Sequence, residues 1–125
     1  MNLEFIQKTI EDHLDLIEIN AVALAQSRER AGKFLVVQAI LTSYLKDLEE
    51  AQAKITTIRE ASYAQSIKMA DGKNITEKKV EAEANPEYSS YREASERVAA
   101  EINWIKGHIK IFENAHILFR QSLRE

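Results

Sequence analysis

Two groups of residues in this 125-residue chain are of types that could do chemistry. The first is Glu113 with His116. An E-x-x-H spacing puts a carboxylate and an imidazole on one face of a helix, as in di-iron bundles. Such a site needs a second pair and two further inward glutamates, and no other E-x-x-H occurs in the chain. His13 and His108 have no second ligand at helical spacing, and no cysteine is present to supply a thiolate or a nucleophile. There is no glycine-rich phosphate loop, no G-x-S-x-G and no paired-carboxylate cleft. No enzyme activity, no metal and no cofactor are therefore expected.

The second group is cationic and aromatic. Arg59, Lys68, Lys73, Lys78 and Lys79 fall in one stretch with Tyr63, Tyr88 and Tyr91. Ammonium and guanidinium groups hold phosphates, and tyrosine rings stack on unpaired bases, so this mixture suits a single-stranded nucleic acid. Glu77, Glu81, Glu83 and Glu87 dilute the cations. With a net charge of −3, nucleic-acid contact has to come from a local patch rather than from the whole surface.

Helices must position these groups. Three glycines and one proline leave long uninterrupted segments, and a hydrophobic content of 45 % is enough for a core. From Asn85-Pro86, an N-cap followed by proline at the first helical position, a helix is expected over 86–124, about 60 Å long. Val98, Ile102, Ile105, Ile109, Phe112, His116 and Phe119 step by four and three along it, forming a seam for a partner helix or a second copy. His116 is the polar member, a residue type that sets register at such a position.

A second seam, Phe34, Val37, Leu41, Tyr44, Leu48, Ala51, Ile55 and Ile58, runs along an expected helix over 33–70. An acidic N-terminal helix is expected over 2–30, with a bend near Gly32. Asp71-Gly72-Lys73-Asn74 is the strongest break, and Asn74 followed by Glu77 reads as a capping box for a short helix over 75–84.

The expected fold is all-α and a single domain over 1–125. It is a long, coiled-coil-like antiparallel hairpin with the N-terminal helix packed on it. Two seams plus a wide N-terminal stripe leave apolar surface that a monomer of this size struggles to hide, so a homo-oligomer is expected. No stretch reaches the roughly 18 apolar residues of a membrane span, and the opening MNLEFIQKTIEDHLDL has no signal-type apolar core. A cytoplasmic location away from membranes is expected.

The chain also resembles a known family. It starts with MNLE, and its middle helix carries Lys54, Arg59, Tyr63 and Gly72 toward its end. The Lys- and acid-rich linker TEKKVEAEANPEY follows, then a long C-terminal helix ending in Arg120 and Arg124. In these features it resembles the small phage recombination mediators of the UvsY family. The resemblance implies a ring-like homo-oligomer that binds single-stranded DNA and helps load a RecA-type recombinase while displacing the single-strand binding protein. It further implies that Arg59, Lys68, Lys73, Lys78 and Lys79 hold phosphates and that Tyr63 or Tyr88 stacks on bases. The C-terminal helix would build the oligomer. The residues alone also fit a helical protein-interaction module, such as an adaptor, a chaperone or an inhibitor of a host enzyme, with no nucleic-acid binding.

Overall fold

The computed structural model describes residues 2–123. All regular structure among them is helical: α1 (Leu3–Leu14), α2 (Ala21–Ala25), α3 (Ser27–Met69), α4 (Ile75–Ala84) and α5 (Pro86–Ser122), with one 3-10 turn at Asp15–Ile17. The fold is all-α. The chain divides into two compact units. One joins the residues up to Asp47 to those from Asn103 on, and the other is Leu48–Ile102.

In the first unit, Asn2 caps α1 by accepting a hydrogen bond from the Phe5 amide at 2.8 Å. Ile6 and Ile10 turn inward with Thr9, whose hydroxyl donates to the Phe5 carbonyl. The helix expected over 2–30 ends at Leu14. Asn20 takes an extended conformation and accepts from the Ala23 amide at 2.8 Å, so it starts a new helix instead of continuing the old one. The Arg30 guanidinium then reaches back to the Leu16 carbonyl at 2.8 Å and holds the turn in place.

The bend near Gly32 is absent. α3 starts at Ser27, whose hydroxyl donates to the Leu24 carbonyl, and runs straight through Gly32. A glycine costs only about 1 kcal/mol inside a helix. Burial of Ala31 and Phe34 on either side outweighs that cost, at roughly 1.5–3 kcal/mol for a large side chain.

Here α3 lies antiparallel to α5. Ala31 faces His116 and Gln38 faces Phe112: the His116 Nδ1–H donates to the Ala31 carbonyl at 2.9 Å, and Gln38 Nε2 donates to the Phe112 carbonyl at 3.3 Å. Phe34 fills the space between Phe112 and Phe119, with ring centroids 5.9 and 5.6 Å away. Val37, Leu41 and Ile105 complete a core in which none of the large side chains sees solvent.

The Leu48–Ile102 unit holds the rest of α3, all of α4 and the start of α5. Its buried positions are Leu48, Ala82, Ser95 and Ile102, small or polar except at its two ends. α3 and α5 are again antiparallel, with Arg59 bonded to Ser95 and Tyr63 against Tyr88. Asn74 caps α4 through the Glu77 amide, and Asn85 caps α5 through the amides of Glu87 and Tyr88.

Gly72 is required by space. A Cβ there would come within 2.8 Å of the Glu77 Cβ and 2.9 Å of the Lys78 nitrogen. The helix expected to reach residue 124 is described to Ser122, and Arg124 lies outside the described residues. No helix among the described residues is long and apolar enough to cross a membrane.

Candidate nucleic-acid interface

All seven residues singled out for phosphate and base contact lie in the Leu48–Ile102 unit. Tyr63 and Tyr88 are brought together. Their ring centroids are 4.9 Å apart at a tilt of 43°, close enough for each ring to cover part of the other. The Arg92 guanidinium sits 5.9 Å from the centre of the Tyr88 ring, adding a cation–π contact. The three form a short ladder of Tyr63, Tyr88 and Arg92. Arg92 was not singled out from sequence, although it stands four residues after Tyr88, the spacing that places side chains over one another on a helix.

The Tyr63 hydroxyl titrates above the ordinary phenol value of 10.0. Loss of hydration is the largest cause, and the negative charge of Glu83 and the neighbouring Tyr88 add to it. The shift keeps this hydroxyl protonated further into the alkaline range than an ordinary phenol.

Arg59 is half-buried, and its Nη1 donates to the Ser95 hydroxyl at 3.1 Å. One of its donors is therefore committed to the α3–α5 contact. Lys68 is exposed and lies nine residues further on, about half a turn away around α3, so the two cations face different sides of that helix. Lys73 is in the turn, where its amide donates to Glu77 Oε2 at 2.7 Å. The Asp71 amide donates likewise to Glu81 Oε2 at 3.0 Å. Two of the diluting carboxylates are thus engaged in holding the turn. Lys78 is half-buried and Lys79 exposed on α4.

Among the described residues the ion pairs are Lys33–Glu29 and Lys110–Glu113, so the ammonium groups of Lys68, Lys73, Lys78 and Lys79 are not tied to a carboxylate. Against this, the unit as a whole carries eleven Asp and Glu to eight Lys and Arg. A shallow cleft of about 390 Å³, lined by Ser62, Gln65, Ser66, Met69, Glu81 and Glu87 among others, is acidic and does not suit a phosphate.

The seam residues are largely spent inside the chain. Ile105, Phe112 and Phe119 are buried in the first unit, where Ile109 and His116 are half-buried. Ile102 is buried and Val98 half-buried in the second. Glu113 pairs with Lys110 at 3.4 Å while His116 bonds the Ala31 carbonyl, so the E-x-x-H pair is used structurally. No grouping of three or more His, Cys, Asp or Glu side chains suited to a metal ion occurs among the described residues. Comparison with known protein families, with curated proteins and with solved structures finds no match.

Proposed function

We propose that this protein is a non-enzymatic helical scaffold acting in DNA recombination, a mediator that binds single-stranded DNA and a recombinase as a homo-oligomer. The observation that carries the DNA part is the set of four lysines, 68, 73, 78 and 79, free of carboxylate partners and in the same unit as the Tyr63–Tyr88–Arg92 ladder. The lysines supply charge for phosphates, and the outer edges of the ladder offer ring surface to an unpaired base. Repetition of so small a patch around an oligomer raises its avidity far above that of one copy. Binding and release are all that the site residues are asked to do.

Fluorescence anisotropy of a labelled oligothymidine with the full chain, over a salt series, tests this reading. Affinity should fall with salt at a log–log slope of about −0.7 per phosphate contact. Lys78→Glu with Lys79→Glu should weaken binding at least tenfold and leave the helical circular dichroism unchanged. Equal affinity in wild type and double variant would refute the assigned patch.

A second reading, a protein-binding module without DNA contact, is favoured by one feature: the net charge of −3 falls entirely within Leu48–Ile102, the unit that carries the lysines. A repulsive field over the patch would leave the oligonucleotide free even at low salt, and that outcome selects the second reading.

A further inference from the structure

We infer that the outward face of α5 in the first unit receives the α1 helix of a second copy of this chain. The inference deepens the scaffold reading and rests on its self-association; it does not need DNA binding.

α1 has a distinctive outer surface. Ile6, Thr9 and Ile10 turn inward, and helical geometry puts Glu4, Glu11 and Asp12 on the opposite side, with Asp15 just beyond the last turn. All four carboxylates are exposed, and none makes an ion pair with a described residue. Residues 2–20 hold five acids against the single cation Lys8. Leu3, Leu14 and Phe5, the last 50 % exposed, border this acidic strip with uncovered apolar surface.

α5 offers the complement. Between 103 and 122, Lys106, Lys110 and Arg120 outnumber Glu113, and the three cations are exposed. Ile111 and Leu118, 42 % and 39 % exposed, stand seven residues apart along one edge of the exposed arc of α5, about 100° or more round from Phe112, while Arg120 and Lys106 line its other edge and Lys110 lies nearer the middle. Gly107 lies between Lys106 and Ile111 with open space where a Cβ would be, so a backbone can come close there.

The occupant follows from charge. An acidic helix with apolar margins matches a basic helix with an apolar stripe. Within one chain α1 is already committed through its other face, so its carboxylates are available only to another molecule. A second copy carries both surfaces, and a two-fold pair satisfies each of them twice and then closes.

The test is the mass of the full chain in solution, by light scattering at low salt over a range of concentrations. The wild type should run above 14.3 kDa. Glu11→Lys with Asp15→Lys should weaken association roughly tenfold or more, and so should Lys106→Glu with Lys110→Glu, because each pair stands four residues apart on one face and like charges then oppose one another. All four changes together should restore it. Circular dichroism confirms that each variant is folded.

An oligomer that survives both reversals refutes this interface but leaves self-association standing. Two folded single-face variants that dissociate, combined with a four-fold variant that fails to reassociate, refute the pairing of these two faces. A wild type at 14.3 kDa under all conditions overturns both this inference and the oligomeric scaffold.

Discussion

The two units solve the same packing problem with different materials. In the first, Phe34, Phe112 and Phe119 with Leu41 and Ile105 are excluded from solvent, and each contributes roughly 1.5–3 kcal/mol by burial alone. In the second, α3 and α5 meet through an arginine–serine hydrogen bond, a tyrosine pair and small buried residues, contacts worth about 0.5–1.5 kcal/mol apiece. Stability is therefore concentrated in one unit and the candidate binding residues in the other. A thin, polar interior leaves side chains such as Tyr63, Tyr88 and Arg59 accessible enough to meet a ligand. It also lets the region open locally at low cost.

The contrast can be broken most directly in the aromatic core. Phe112→Ala should cost about 3–5 kcal/mol in urea unfolding, since it leaves a cavity against Phe34. Gly72→Ala should cost less, about 1–3 kcal/mol, because the added methyl must displace the first turn of α4. Removal of the ladder by Tyr88→Ala should cost only about 1 kcal/mol. If Tyr88→Ala proved as damaging as Phe112→Ala, the division between a stabilising and a binding unit would fall.

The smallest effect is electrostatic. The folded-state pKa of Tyr63 is raised, so its contribution to stability is complete below the unfolded value of 10.0 and is lost as pH climbs through the higher folded value. A phenolate absorbance titration of the wild type against Tyr63→Phe should show that the component lost on substitution ionises above 10.0. Glu83→Gln should bring it down only in part, because loss of hydration is the larger cause.

Much of the helical plan was legible from residue types. Asn74 and Asn85-Pro86 mark real helix starts because a side-chain amide oxygen followed by free amides is a local signal. The break at Asn20 was not read, because Ile17, Ala21 and Leu24 carry the apolar spacing across it and hide an equally good cap. Gly32 misled in the opposite direction: its burial context, not its propensity, decides the helix.

The site was legible only as composition. That Arg59 would bond Ser95, 36 residues away, depends on register between two long helices, and a seam pattern leaves that register open by whole heptads. Likewise the sequence could place Tyr63 and Tyr88 in one region, but their contact depends on the length of the turn through Gly72 and α4.

Amide hydrogen exchange read by mass spectrometry, on the full chain with and without a single-stranded oligonucleotide, addresses both halves of this picture at once. The expected result is slow exchange in residues 27–47 of α3, faster exchange across 70–85, and slowing of residues 68–79 on addition of the oligonucleotide with the aromatic core unchanged. Uniform exchange along the chain, or an oligonucleotide that leaves residues 68–79 as they were, would contradict it.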